Sequence, residues 1–274
     1  MKAAVLREIG RFEIESLVLD KPRDEEIRVR TLASGLCHSD YHVMVGAVNV
    51  PRPLVAGHEA AGIVEAIGDD VRDFRVGDMV VTCVTGYCGA CRECQSGHNY
   101  RCETPPRRGP WRDDPTLRDT SGEPVYALGQ LGAFAEEMLV HQRYAAKLPE
   151  GVPVHAAALM GCAVLTGVGA ALNGAQVAPG STVVVIGCGG VGLNVVQGAR
   201  IAGAGRIIAV DRVPEKLEMA RRFGATDALI AGADTVAEVI EMTRGGADYA
   251  FEVIGLPETM RDACRMLRRG ATAV

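Results

Sequence analysis

The chain has 274 residues, 48% of them hydrophobic and 23% charged, with 29 Lys and Arg against 34 Asp and Glu for a net charge of −5. That apolar content excludes a disordered chain and is enough for two buried cores. The acidic balance provides no global basic field for a polyanion, so no nucleic acid partner is expected.

The local cluster Arg107, Arg108 and Arg112 reads as a solvated loop. Nine cysteines are an odd number. The start Met1-Lys2-Ala3-Ala4-Val5-Leu6-Arg7-Glu8 lacks the long apolar core of a secretory signal, so reduced thiols in the cytoplasm are expected.

In chain order, the first half reads as short strands at residues 26–32, 61–67 and 79–83, rich in β-branched side chains and broken at Gly68-Asp69 and Gly77-Asp78. This predicts an all-β body. The stretch 103–124 carries five prolines and many charges and is expected to be loop. Residues 154–172 are long enough to cross a bilayer, but they are rich in Ala and Gly and include His155, Cys162 and Thr166. They read as a buried helix and turn, with no membrane segment.

From Ser181 onward strand and helix alternate. Residues 182–186 form an apolar strand; Val191, Val195, Ala199 and Ala202 recur at helical spacing; residues 206–210 form a second strand. Pro214 opens the next helix and Gly224 closes it. Strands near 227–230 and 248–253 follow, and Pro257 opens another helix. A six-stranded parallel sheet would be expected from this alternation. The chain supplies four strands and ends four residues into a fifth at Ala271-Thr272-Ala273-Val274, which predicts an unpaired edge on the fourth.

Cys88, Cys91, Cys94 and Cys102 form a C-x2-C-x2-C-x7-C run, the spacing of a tetrahedral structural zinc. Buried free thiols are the bland alternative, and His98 inside the lobe reads as a surface residue. The run Gly187-Cys188-Gly189-Gly190-Val191-Gly192 is G-x-G-x-x-G between a strand and a helix, a cradle for a pyrophosphate. Asp211 ends the next strand, where a carboxylate accepts from a ribose diol and repels a 2′-phosphate; this favours NAD over NADP, with Arg212 beside it as the dissenting charge.

A second set of metal donors is scattered: Cys37, His58 with Glu59, and Cys162. Two thiolates and an imidazole are what a catalytic zinc with an open position needs, but spacing alone does not assemble them.

The segments 35–40, 57–62, 88–102, 187–192 and Phe251-Glu252-Val253-Ile254-Gly255 together resemble the zinc-dependent medium-chain alcohol dehydrogenases, over essentially all 274 residues. The resemblance implies α/β plus β architecture: a GroES-like β domain at 1–165 with the zinc lobe at 88–102, then a Rossmann domain at 166–274 with an incomplete sheet.

It implies Cys37, His58 and Cys162 as catalytic zinc ligands, Glu59 close behind the metal, and Asp40 as the carboxylate orienting the ligand imidazole. Ser39 resembles the hydroxyl that bonds the substrate oxygen, and His42 the imidazole that passes its proton to solvent. Thr166 resembles the residue against the nicotinamide, and His38 one that contacts a cofactor phosphate.

The activity implied is hydride transfer between a primary alcohol or aldehyde and NAD, with a small-molecule substrate as partner; a homo-oligomer is implied for the full-length family and not for this chain. Two alternatives stay open: a thiol-adduct formaldehyde dehydrogenase and a non-catalytic fragment. Residues 45–56 contain no acidic side chain, unlike members acting on thiol adducts, which favours a primary or aromatic alcohol. Cys83, Cys188, Cys264, His141 and His155 are given packing or surface roles.

Overall fold

The computed structural model describes residues 1–108 and 112–274. It divides into two compact units, Met1–Cys162 and Ala163–Val274. The boundary therefore precedes the expected 165/166, because Ala163 already begins a helix of the second unit.

The first unit holds β1 (Lys2–Leu6), β2 (Glu13–Leu19), β3 (Glu26–Ser34), α1 (His38–Met44), β4 (Leu54–Val55), β5 (Ala60–Ile67) and β6 (Met79–Thr82). After these come α2 (Arg92–Gln95), β7 (Leu117–Asp119), β8 (Pro124–Ala127), β9 (Glu137–His141), β10 (Ala145–Lys147) and α3 (Val154–Ala158). A closed barrel runs β1-β2-β7-β8-β4, and a second five-stranded sheet runs β10-β6-β5-β3-β9.

Alternation in β3 sends Ile27 and Val29 into a core with Val64, Phe74, Val80, Met138 and Val140, while Arg28 and Arg30 between them reach Glu137 and Glu65. Burial of each of the larger apolar side chains contributes about 1.5–3 kcal/mol.

Two expectations fail here. The stretch 103–124, outside its uncharacterised residues 109–111, is not all loop: β7 and β8 pair through Leu117↔Val125, and both side chains enter the barrel core. Three- and four-residue strands are too short for a periodicity signal. Nor is the arginine cluster simply solvated. The Arg108 side chain is only 9% exposed, with ion pairs to Asp20 at 2.6 Å and Glu26 at 2.7 Å.

The second unit begins with α4 (Ala163–Gly169) and continues with β11 (Thr182–Ile186), α5 (Gly190–Ile201), β12 (Arg206–Asp211), α6 (Pro214–Phe223) and β13 (Asp227–Ile230). It ends with α7 (Thr235–Thr243), β14 (Ala247–Glu252), α8 (Pro257–Arg265) and β15 (Leu267–Ala273). All pairings are parallel, in the order β13-β12-β11-β14-β15.

The sheet is buried on both faces. Val183, Val185, Ile207, Ala209 and Phe251 pack on one side; Val184, Ile186, Ile208, Val210 and Ala250 pack on the other. This is why the strands read as continuous apolar runs.

The expected bare edge on the fourth strand, β14, is corrected. The fifth strand starts at Leu267 and pairs with it, with Tyr249↔Thr272 and Ala250↔Ala273. Exposed Arg268 and Arg269 and Gly270, a positive-φ glycine within the strand, hid it from a search for apolar runs.

Residues 154–172 are likewise a set of short helical pieces, not a uniformly buried helix: Ala157, Ala158, Gly161, Gly167 and Ala171 are buried, whereas Leu159, Met160 and Leu165 are exposed. Among the described residues no single helix is long and apolar enough to cross a membrane.

Candidate metal and dinucleotide sites

Antiparallel pairing of β3 with β5 brings the first two donor segments together. The ladder ends at Ser34↔Ala60, and beyond it Gly35 N–H donates to the Glu59 carbonyl at 2.8 Å. Cys37 and the His58-Glu59 pair therefore emerge side by side, from positions distant in sequence.

The third segment arrives over β6, the neighbour of β5. A Cβ at Gly161 would collide with the Thr82 carbonyl, so only glycine lets the chain pass this close before Cys162. The donor atoms of Cys37, His58, Glu59 and Cys162 all lie within 4.8 Å of one another.

Asp40 organises this cluster from full burial. Its Oδ1 accepts from Gly57 N–H at 3.0 Å and lies 3.2 Å from His58 Nδ1, while Oδ2 accepts from Cys37 N–H at 3.1 Å. One carboxylate thus fixes the backbone of one donor segment, the backbone before another, and the imidazole itself. With Nδ1 engaged, Nε2 is the ring nitrogen left to bind a metal.

The hydrogen bond to Asp40, helped by Cys162, pushes the His58 pKa up to about 11. Burial pushes the Glu59 carboxyl up as well.

The donors fit zinc. Two thiols and one imidazole backed by a carboxylate form the borderline-soft set that zinc takes in catalytic sites. Glu59 Oε2 is buried with no hydrogen-bond partner, and an orphaned carboxylate oxygen beside three donors is accounted for by a nearby cation.

The four lobe cysteines also converge within 4.8 Å. Sγ to Sγ is 4.0 Å for Cys88 to Cys94 and for Cys91 to Cys102. That is far from a disulfide and close to the edge of about 3.8 Å in a tetrahedron with metal–sulfur bonds of about 2.3 Å.

Ala90 and Cys91 N–H groups donate to Cys88 Sγ, and Cys88 N–H donates to Cys102 Sγ. The Thr104 hydroxyl, followed by these backbone donors to it, lowers the Cys88 pKa to about 5, which poises it as a thiolate. Sequence reasoning had given Thr104 no part. His98 is exposed and bonds Ser96 Oγ at 3.0 Å.

Around the donors, Ser39 Oγ lies 3.7 Å from Cys37 Sγ. His38 and His42 are exposed on α1, and Thr166 is exposed on α4 of the second unit.

In that unit the glycine run joins β11 to α5, whose N-cap is Gly189. A Cβ at Gly192 would collide with the Gly187 carbonyl, so this position must be glycine for the turn to close; Gly189 and Gly190 meet nothing closer than 3.8 Å. Val191 is half-buried in the first turn of α5.

Asp211 does more than its position in sequence indicated. Its Oδ2 accepts from Cys188 N–H at 2.7 Å and its Oδ1 from Val213 N–H at 3.0 Å, so it fastens the glycine turn to the end of β12.

A similar clamp went unread at Glu252. Its Oε1 accepts from Ile254 N–H and Gly255 N–H at 2.9 Å and from Thr259 Oγ1 at 2.8 Å. The visible signal was a carboxylate three residues before a glycine at a strand end.

Comparison with known proteins identifies the family. The alcohol dehydrogenase GroES-like domain family matches residues 23–150, and the zinc-binding dehydrogenase family matches residues 190–274. Alcohol dehydrogenase-like 5 of Arabidopsis thaliana is 38% identical over 98% of this chain and 72% of its own length.

Among solved structures, an alcohol dehydrogenase zinc-binding domain protein from Burkholderia ambifaria superposes with a TM-score of 0.92 at 39% identity, covering 99% of this chain and 75% of the other. Benzyl alcohol dehydrogenase from Acinetobacter calcoaceticus gives 0.88 at 34% identity, with the same two coverages. With both family models in order and a relative 38% identical over 98% of this chain, the chain belongs to the zinc-dependent medium-chain alcohol dehydrogenase family and spans 72% of the length of that relative.

Proposed function

We propose that the protein interconverts a primary alcohol and its aldehyde with NAD as hydride acceptor, using one catalytic and one structural zinc. The observation that carries this reading is the convergence of Cys37, His58 and Cys162, with Asp40 behind the imidazole and Glu59 beside it.

Cys37, His58 and Cys162 would hold the catalytic zinc, and Cys88, Cys91, Cys94 and Cys102 the structural one. When bound, the catalytic zinc supplies Lewis acidity to a substrate oxygen, and NAD supplies the hydride acceptor.

The chain's own residues do the rest. Asp40 holds His58 in one tautomer and raises its basicity as a ligand. The Ser39 hydroxyl, beside Cys37, would accept the substrate's hydroxyl proton while giving up its own, and the His42 imidazole, exposed on the same helix, would take up the released proton and deliver it to solvent.

In the second unit the N–H groups of Gly189, Gly190, Val191 and Gly192, at the start of α5, would hold a pyrophosphate, while Gly187 makes the turn and donates its own N–H to the Val210 carbonyl at 2.8 Å. Asp211 keeps lone pairs beyond its two backbone bonds, and these accept from a ribose diol. His38 would be a contact for a cofactor phosphate, and Thr166 for the nicotinamide.

The absence of acidic side chains in 45–56 and the likeness to benzyl alcohol dehydrogenase support a primary or aromatic alcohol over a hydroxymethyl-thiol. A cytoplasmic, small-molecule enzyme fits the reduced cysteines.

The test is zinc per chain by elemental analysis, together with benzyl alcohol oxidation assayed with NAD and with NADP. Two zincs and NAD-linked turnover, abolished by Cys37→Ser with the lobe zinc retained, are expected. Turnover that survives Cys37→Ser, or that is faster with a hydroxymethyl-thiol, would overturn the reading.

A further inference from the structure

We infer that His38 and His42 form a third, exchangeable site for a divalent transition metal, separate from both cysteine clusters. The two residues stand at i and i+4 on α1, so their side chains leave the same face of the helix. Both are exposed, and their ring centroids are 4.7 Å apart.

Two imidazoles four residues apart on a helix are the arrangement that grips a single zinc-type ion through one ring nitrogen of each. The helix backbone has already fixed their separation. The second nitrogen therefore binds at the high effective concentration of a tethered group, not as an independent ligand.

Neither ring has a hydrogen-bond or ion-pair partner among the described residues. Their ring contacts are aromatic: His38 meets His42 and Tyr41 edge-on, the latter at 5.4 Å, and His42 meets Tyr41 at a tilt at 6.3 Å. Both ring nitrogens of each histidine are thus left for water or a metal. His58, by contrast, has Nδ1 committed to Asp40.

Imidazole donors suit nickel, copper and zinc, whereas the thiolate clusters retain zinc. Two protein ligands leave most of the coordination sphere to water, which makes the site weak and exchangeable compared with the three- and four-donor clusters.

The site has a consequence that rests on the proposed function. If His42 delivers the substrate proton to solvent, a metal on its ring nitrogen blocks that delivery. Excess divalent metal then inhibits an enzyme that needs zinc.

Binding itself depends on α1 alone and is measured without turnover. Zinc-replete protein is dialysed to equilibrium against micromolar Ni2+, and nickel and zinc are counted in the same samples. The wild type is expected to take up one nickel per chain while keeping its zinc.

His38→Gln and His42→Gln should each weaken that uptake by about 100-fold, as expected when one arm of a chelate is removed. Because both side chains are exposed, the variants should melt at the wild-type temperature and retain wild-type zinc. No nickel uptake by the wild type, or uptake unchanged in either variant, would overturn the inference. Either result would leave the zinc count and the alcohol assay, which test the proposed function, unaffected.

Discussion

Two glycines of the dinucleotide turn, three residues apart, should respond in opposite ways to the same added methyl group. At Gly192 a Cβ would collide with the carbonyl oxygen of Gly187, stand 2.9 Å from its carbon and reach Val253 Cγ2 at 3.1 Å. The first two atoms are backbone. They cannot swing aside as a side chain can, since Gly187 itself sits at φ +97° to make the turn.

Overpacking costs about 1–3 kcal/mol when side chains can yield. Here the turn must open, so Gly192→Ala should cost at least about 3 kcal/mol. At roughly 4 °C per kcal/mol for a unit of this size, the melting transition of the second unit should fall by about 10 °C.

Gly189 has nothing within 4 Å of its added Cβ and an ordinary φ of −80°. Its only penalty is that alanine makes a poorer N-cap than glycine, at most about 1 kcal/mol. On the proposed placement of the phosphates, however, a methyl group there would enter the open space from which a pyrophosphate approaches the α5 N–H groups. Gly189→Ala should therefore melt within about 4 °C of wild type yet bind NADH at least ten-fold more weakly, read by fluorescence titration. Equal melting temperatures for the two variants would refute the steric argument. Wild-type NADH affinity in Gly189→Ala would refute the placement of the phosphates.

Asp40→Asn replaces one acceptor oxygen with an NH2, so it cannot accept from both Gly57 and Cys37 while holding His58. Zinc affinity at the three-donor site should drop by about 10–100-fold with the lobe zinc unaffected, measured by zinc retained against a graded chelator. Arg108→Met leaves Glu26 without its ion pair and Asp20 with Arg23 alone, and because Arg108 and Glu26 are largely buried the first unit should lose about 3 kcal/mol in urea unfolding.

Burial alone would raise the Asp20 pKa, but hydrogen bonds from Arg108 and Arg23 outweigh it and hold the carboxyl at about 2, below its ordinary 3.8. A depressed folded-state value means stabilisation that is full above about pH 4 and lost as pH falls through about 2. Asp20→Asn should flatten that part of the acid-unfolding curve, and an unchanged acid limb would exclude Asp20 as its source.

The parallel sheet was legible because it is buried on both faces, which turns 182–186 and 206–210 into apolar runs, and because Pro214 and Gly224 mark their helix unambiguously; Gly224 does adopt φ +119°. The convergence of the lobe cysteines was legible because all four lie within one short segment. The three-donor cluster was not. Cys37 and His58 meet through the β3–β5 register, and Cys162 through a backbone contact at Gly161, and no local pattern encodes either.

The strands β7 and β8 were missed because a barrel can recruit three or four residues with one inward side chain each. Arg108 was misread because its charge is neutralised by Asp20 and Glu26, more than eighty positions earlier in the chain. Where chemistry is local the residues announce it; where the fold supplies the partner, only the coordinates do.

The position of Cys162 has a consequence in time. It is the last residue of the first unit, so the three-donor cluster spans nearly the whole of that unit, from Cys37 onward. During synthesis the lobe cysteines are complete at Cys102 and can capture their metal early. The other cluster stays two-thirds assembled until the entire barrel and second sheet have been made. Because the free energy of metal capture is folding free energy, a zinc bound there would act as a late closure: it could not lock a first unit that lacks its final residue, and it would stabilise only chains that have carried synthesis through to Cys162.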